Sequence, residues 1–347
     1  MTETTERPLV TFVVIAYNQE RFIREAIEGA FAQTYQPLEI ILSDDGSPDR
    51  TYEIMQEMAT AYDGPHKIVL NRNEPNLGLV PHIDRVMELV SGEFIVVNAG
   101  DDISVPDRTE RLARAWLESQ KTLSLVHSAV MSTTAERKPI GLRRPPERII
   151  KTPTPRTIIA EKSHIIGASA AWSREVFDKY GPLGSGLSTE DRIIPFRAST
   201  LGGIGYIDEP LVLHNNEGIS GSTGNLSATG YLYGISHKLR KWDTEIDHYI
   251  CREIEKFDLP EGGDIKETCH IRAEIVGFQV ALAEARYIER VAMVFRAFHI
   301  SYGQKTLRPI KDWLRYTFDR LYISYSDWRI AQGQKQKSAV SQAARDA

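Results

Sequence analysis

Residues 10–49 run from an apolar stretch through a polar turn, an amphipathic helix and a second apolar stretch to two adjacent carboxylates. Few folds other than a parallel sheet covered by helices accommodate that succession. Residues 9–15 are apolar and β-branched, with only Thr11 polar, which suits a strand buried on both faces. Asn18 stands where a helix N-cap belongs, and Phe22, Ile23, Ala26, Ile27, Ala30 and Phe31 repeat at helical spacing behind it. Residues 38–42 form the second strand, Asp44-Asp45-Gly46-Ser47 the turn, and Pro48 takes a first helical position ahead of Tyr52, Met55 and Met58. The unit is βαβα, so the sheet is parallel with right-handed crossovers. A strand ending in paired acids beside one ending in Tyr17-Asn18 is the layout of a nucleotide site at the carboxyl edge of such a sheet.

The pattern continues. Residues 67–70 are a third strand, 71–78 a polar loop, and Leu79, Val80, Ile83, Val86 and Met87 mark another helix. Residues 94–97 form a buried strand that runs into Asn98-Ala99-Gly100-Asp101-Asp102. Gly100 permits a tight turn, and Asp101 and Asp102 stand where a hard divalent cation would need oxygen ligands to hold a diphosphate. A capped turn before the helix near Pro106 accounts for the same acids when that segment is taken alone. With Asp44 and Asp45 the case changes. Two acidic edges of one sheet converge on one crevice without basic partners nearby in sequence, and a cation would relieve their repulsion. No GxGxxG follows the first strand and no GxxxxGK[ST] occurs, which argues against a dinucleotide dehydrogenase and a P-loop NTPase.

The 347 residues, 41% apolar with a net charge of -5, allow one large α/β domain with an appendage, or two domains. Cys251 and Cys269 are too few for a disulfide framework or a cysteine-rich zinc site, and a reduced, cytosolic protein is expected. The amino-terminal residues MTETTERP lack a basic region followed by an apolar core, and no apolar run approaches about 18 residues. The expectation is a protein neither exported nor membrane-spanning.

Three segments, VVIAYNQERFIREAIEGAFAQTYQPLEIILSDDGSPDRT, SGEFIVVNAGDDISVPDR and STEDRIIPFRA, resemble in sequence and order the inverting glycosyltransferase family 2. The resemblance covers roughly residues 8–222. It implies an α/β GT-A fold, Rossmann-like, with a mixed, mainly parallel sheet flanked by helices, over residues 1–222, and a helical C-terminal region over 223–347. It implies that Tyr17, Asn18 and Asp45, with Asp44, Ala16, Glu20 and Asn76 beside them, hold a nucleotide sugar. The family's Asp-X-Asp segment is here Ala99-Gly100-Asp101-Asp102, without the leading acid; Asp101 is assigned to the donor and Asp102 to Mn2+ or Mg2+.

An inverting transfer needs one carboxylate to take the proton of the acceptor hydroxyl. By resemblance that base is Asp191, with Glu190 the fallback, after the glycine-rich run Gly184-Ser185-Gly186. Thr189 is read as the N-cap of the following helix, with both acids in its first turn, where they would stabilise the helix dipole whether or not they react. The family's Tyr-Arg-X-His segment is altered to His214-Asn215-Asn216-Glu217, and His214 is left out of the metal set.

The implied reaction moves a sugar from a UDP or dTDP sugar to a saccharide or lipid-linked hydroxyl, in cell-surface polysaccharide assembly. The alternative is a catalytically degenerate member acting as a binding or scaffold protein at the membrane surface. Residues 137–156 combine five prolines with Lys138, Arg143, Arg144, Arg148 and Lys151, which reads as an irregular basic loop, either a clasp for an anion or a solvated surface. Residues 166–172 read as a small-residue strand ending in Trp172, a core residue or a platform for a sugar ring.

Beyond residue 225 the period is helical, with long segments over 231–257, 264–299 and 307–330. Residues 285–347 carry 12 Lys/Arg against 5 Asp/Glu and many aromatics. Peripheral contact with the inner face of a membrane, a homodimer interface and a cover for the catalytic domain are all open readings of that composition. Nucleic acid is not an expected partner, since the chain is acidic overall.

Overall fold

A computed structural model describes residues 7–187, 189–216, 235–259, 262–285, 287–303 and 308–317. They fall into two compact units, one reaching residue 216 and including Leu259, the other holding the remaining residues from 235 onward.

The first unit is built on β1 (Val10–Ala16), whose seven residues are all buried as the uninterrupted apolar run requires. It pairs in parallel with β2 (Leu38–Asp44) on one side and β4 (Phe94–Ala99) on the other, and β3 (Lys67–Arg72) extends the sheet beyond β2. The register sets Ala16 opposite Asp44 and Ile15 opposite Ala99. Both acidic turns therefore leave the sheet at the same edge as Tyr17-Asn18.

Past β4 the sheet becomes mixed. β8 (Ala170–Ser173) lies antiparallel between β4 and β6 (Leu123–Thr133), and β9 (Gly203–Asn215) runs parallel to β6 with Thr133 opposite Asn215. The two-residue β5 (Ile103–Ser104) closes the far side against Val212 and Leu213 of β9. That pairing folds the chain after Asp102 back onto the end of β9.

Helices α1 (Ile23–Phe31), α2 (Thr51–Ala61), α3 (Leu79–Met87) and α4 (Arg108–Glu118) contribute buried apolar faces. Phe94 is fully buried and stacks on Trp116 with centroids 4.8 Å apart.

Several local expectations change. Asn18 is not the α1 cap: its φ is 56°, and the helix begins at Ile23 after Phe22. Asparagine favours caps and left-handed bends for the same reason, a short polar side chain that bonds locally, and here the bend is used. Pro48 precedes α2, whose start is held by Asp49 Oδ1 accepting from Thr51 N at 3.0 Å.

The proline-rich segment is regular, not an irregular loop. It contains β7 (Pro139–Arg143), paired with β6, then α5 (Glu147–Lys151) and α6 (Pro155–Ala160). Pro139 opens an edge strand, Pro146 is an N-cap and Pro155 is a first helical residue, places where a missing N–H costs little. Gly167–Ser169 is a 3-10 turn rather than strand. Trp172, 2% exposed beside Phe177, is core and not a sugar platform. Short α7 (Glu175–Tyr180) and then α8 (Ile193–Leu201) complete this unit.

The second unit holds α9 (Ile235–Lys256), α10 (Gly262–Glu284), α11 (Tyr287–Ala292), α12 (Val294–Gly303) and α13 (Arg308–Thr317). The single helix expected over 264–299 is thus three. Phe278, Leu282, Ala297 and Ile300 form its core, with Ile310 and Trp313 against them. Cys251 and Cys269, expected as reduced thiols, form a disulfide between α9 and α10, because helices packed side by side bring their Cα atoms to 6.2 Å. Phe295 and Phe298 of α12 are exposed. The expected helix beyond residue 317, with Tyr322 and Trp328, lies outside the described residues. No helix among the described residues is long and apolar enough to cross a membrane.

Replacing Phe94 with Ala removes a fully buried ring from the face shared by the sheet and α4. Thermal or urea unfolding of Phe94→Ala should show a loss of about 3–5 kcal/mol.

Candidate active site

The turn after β2 is held by its first acid. Asp44 is fully buried; its Oδ2 accepts from Ser47 N at 3.0 Å, Ser47 Oγ donates to Oδ1, and Arg72 Nε lies 3.6 Å away. Gly46, with φ 70°, passes so close to the next loop that a Cβ would sit 2.9 Å from Asn73 O. Asp45 faces the other way. Its Oδ1 accepts from Asn73 Nδ2 at 2.8 Å and Leu77 N at 3.0 Å, and its Oδ2 from Gly78 N at 2.9 Å. Asn76 Nδ2 donates to the Asp45 carbonyl at 2.9 Å. The pair at this edge is satisfied by N–H and O–H donors, so the mutual repulsion expected of it does not by itself demand a cation.

The Tyr17-Asn18 bend is fastened to this turn. Asn18 N donates to Ser47 Oγ at 2.8 Å and the Ala16 carbonyl accepts from Asp45 N at 2.9 Å. Glu20 reaches back to α2, its Oε2 accepting from Arg50 N at 3.1 Å. Tyr17 is left 41% exposed at the sheet edge, free to present its ring.

At the second edge, a Cβ on Gly100 would come within 2.7 Å of Ala16 Cβ, so glycine lets the acidic turn lie against the end of β1. Asp102 is 1% exposed; its Oδ1 accepts from Asn215 N at 2.7 Å, and His214 Nδ1 lies 3.0 Å from its Oδ2. Asp101 is buried beside it, and burial together with the Asp102 charge holds its carboxyl up at about 6. Arg137, from the β6–β7 turn, donates to the Asp101 carbonyl at 2.8 Å and pairs with Glu25 at 2.6 Å.

The basic partner missing from the sequence pattern is Arg108, the first residue of α4. It is fully buried and donates to Asn98 Oδ1 at 3.1 Å, Ser104 Oγ at 2.8 Å and the Val97 carbonyl at 2.8 Å. Burial pushes its guanidinium down to about 9, while the Asp102 charge acts to keep it protonated. Arg108, Asn98 and the His214 contact were not picked out as site residues; an Arg six places after the paired acids was the only local sign.

The third motif is anchored from α3, where Asp84 accepts from Leu183 N and Gly184 N, each at 2.7 Å. Gly184 and Gly186 have φ of 85° and 89°, and Ser188 lies outside the described residues. Glu190 and Asp191 form a turn ahead of α8, not its first helical turn, with the Glu190 carbonyl accepting from Ile193 N and Ile194 N. Thr189 Oγ1 accepts from Asp191 N at 3.3 Å, so it caps that turn rather than α8. Both carboxylates point at Gly167, where a Cβ would lie 2.4 Å from Asp191 Oδ1 and from Glu190 Oε1.

Burial first, and the adjacent Glu190 charge second, raise the Asp191 carboxyl well above the usual carboxylate range; burial also raises Glu190. Two acids so placed hold a proton between them more readily than either would alone. A half-buried carboxylate of raised proton affinity is a competent general base once it has lost its proton.

As possible metal donors, Asp102 and His214 offer one oxygen-bearing and one nitrogen-bearing side chain side by side. No group of three or more His, Cys, Asp or Glu among the described residues could hold a metal ion. Asp102 is the hard oxygen donor that Mg2+ or Mn2+ would take, with diphosphate oxygens and water to supply the rest.

Residues 11–181 match the family model described as glycosyl transferase family 2. Among relatives, EpsE of Bacillus subtilis, which bears a glycosyltransferase name, is 32% identical over 124 residues, 36% of this chain and 44% of its own length. A Haemophilus influenzae protein named as an uncharacterized glycosyltransferase is 34% identical over 121 residues, 35% of this chain and 36% of its own. The chain thus spans less than half the length of these curated relatives. Among solved structures, S. aureus TarS 1-349 has a TM-score of 0.58 at 15% identity, covering 89% of this chain and 90% of that one; it has also been solved with UDP-GlcNAc. The Pyrobaculum calidifontis mannosyltransferase PcManGT, in complex with GDP-Man and Mn2+, has a TM-score of 0.51 at 17% identity, covering 94% and 88%. These likenesses identify the sheet as a GT-A fold.

Arg108→Met should leave the buried Ser104 oxygen without its donor, leave Asn98 Oδ1 with only the Ser104 hydroxyl, and remove the positive charge near Asp102. A loss of about 3 kcal/mol or more in urea unfolding is expected.

Proposed function

Since residues 11–181 match the family model described as glycosyl transferase family 2, we propose that the protein transfers a sugar, with inversion, from a nucleotide diphosphate to an acceptor hydroxyl, and that Asp191 is the general base. UDP or dTDP is the proposed carrier and a saccharide or lipid-linked saccharide of cell-surface polysaccharide assembly the proposed acceptor. The observation that carries this is the Glu190/Asp191 pair, closed against the bare Cα of Gly167 and raised in proton affinity by burial.

The chemistry is a single displacement. The acceptor oxygen bonds to the anomeric carbon, the bond from that carbon to the phosphate oxygen breaks, and the acceptor proton passes to the Asp191 carboxylate. The nucleoside diphosphate departs with the bond electrons. Tyr17 and Asn18 would receive the nucleoside at the edge where Asp45 braces residues 73–78. Asp101 would bond the donor. Mn2+ or Mg2+ held by Asp102 and His214 would supply positive charge to the leaving diphosphate. Arg108 donates to Asn98, whose Nδ2 donates in turn to the Asp102 carbonyl at 2.8 Å, and so steadies the acidic turn.

Two observations favour a second reading. Ala99 stands where the metal motif has its leading acid, and three donors within the protein already bond the Asp45 carboxylate, features that suit a binding protein without turnover.

Thermal unfolding with a panel of nucleoside diphosphates and nucleotide sugars, with and without Mn2+, tests the donor site, because a ligand bound only by the native state raises the melting temperature. One nucleotide should give a metal-dependent rise; no rise with any sinks the donor site. Asp191→Asn should keep that rise and lose turnover by about 100-fold or more. A wild type that binds but never transfers sugar favours the second reading.

The pH profile tests the base. Activity needs ionised Asp191, so it falls as pH drops through the raised carboxyl value. Glu190→Gln removes the charge that helps raise it, and the acid limb of kcat/KM should move to lower pH. An unmoved limb would remove Asp191 from the role.

A further inference from the structure

A cavity of about 290 Å3 lies beside the proposed base, lined by His127 and Ser128 of β6, Arg143 and Arg144 at the end of β7, and His164 and Ile166. Ile166 is followed directly by Gly167, which faces Asp191, and the Arg143 charge acts on the Asp191 carboxyl, lowering its proton affinity. Cavity and base are therefore neighbours.

Three features make the lining suited to a ligand. His127 is 1% exposed, yet neither ring nitrogen has a hydrogen-bond partner among the described residues. A neutral imidazole buried without partners leaves one donor and one acceptor unmet, a cost that a ligand hydrogen-bonding into the cavity would remove. Burial pulls this imidazole down to about 3, so it is neutral in the empty cavity. Arg144 is paired: its Nε lies 2.6 Å from Asp208 Oδ1, which also accepts from Tyr206 Oη at 2.9 Å, and the Tyr206 ring lies 5.1 Å from that of His127. Arg143, by contrast, makes no ion pair among the described residues.

The charge placement selects the ligand class. A neutral sugar would gain little from two guanidinium groups, whereas an anionic group gains from both, and the Arg143 charge also offsets that of Asp191. Guanidinium matches phosphate and carboxylate oxygens with paired N–H donors. We propose that this cavity is an acceptor subsite for an oxyanion, and that the acceptor is a saccharide carrying a phosphate or carboxylate group held by Arg143, Arg144 and His127. This rests on Asp191 being the base.

The test uses the full chain with 15N-labelled histidine, following the His127 ring nitrogens, assigned by their loss in His127→Phe. Inorganic phosphate and glucuronate represent the two oxyanion sources and glucose the neutral control. Phosphate or glucuronate should move the His127 signals in a saturable way while glucose does not, and the Arg143→Gln/Arg144→Gln double variant should bind the same oxyanion about tenfold or more weakly. The response to one oxyanion over the other names the group on the acceptor. No response to either, an equal response to glucose, or an unchanged response in the double variant would overturn the proposal. The double variant should keep the nucleotide-induced rise in melting temperature, which separates this cavity from the donor site; loss of that rise would overturn a separate acceptor subsite.

Discussion

Everything at the candidate site depends on the parallel register around β1. With Ala16 opposite Asp44 and Ile15 opposite Ala99, three turns leave the sheet at one edge. A slip of one residue in either pairing would invert every side chain of a strand buried on both faces. It would also carry one acidic turn away from the Tyr17-Asn18 bend. The apolar residues that make β1 a strand thus also fix, at a distance, where the polar chemistry is placed.

The acids gathered there are compensated in different ways. Asp44 and Asp45 are bound by donors from their own and the next loop, which rigidifies the edge at no cost in net charge. Asp102 is held between a backbone N–H, an imidazole and the field of a buried guanidinium. Glu190 and Asp191 have weaker help, a Gly167 N–H and the Arg143 charge at Asp191, and burial still makes them hold on to protons. The first pair is architecture. The other two retain free energy that a bound ligand can change, and these are where a donor and an acceptor would act.

Features encoded locally could be read from the chain alone. The first four strands, the helices between them and the two acidic turns follow from periodicity and punctuation within short windows. Boundaries governed by competing uses of one residue type could not: Asn18 has the chemistry of both a cap and a left-handed bend, and Pro139, Pro146 and Pro155 punctuate regular structure as well as breaking it. Contacts across sequence were invisible. His214 meets Asp102 over 112 positions, Gly167 meets Asp191 through the mixed half of the sheet, and Cys251 meets Cys269 only because two helices lie side by side. Gly167 showed its small size but not its purpose, which is to leave room for carboxylates from elsewhere.

Helix α3 has attachments at both ends of the site. Its N-cap Gly78 donates to Asp45, and its Asp84 accepts from Leu183 and Gly184 at the entrance to the Asp191 loop. One short rod thereby spans from the turn read as the nucleoside cradle to the segment read as the acceptor gate. The two halves of the site share a beam, and a change at either fastening is felt as a change of footing at the other.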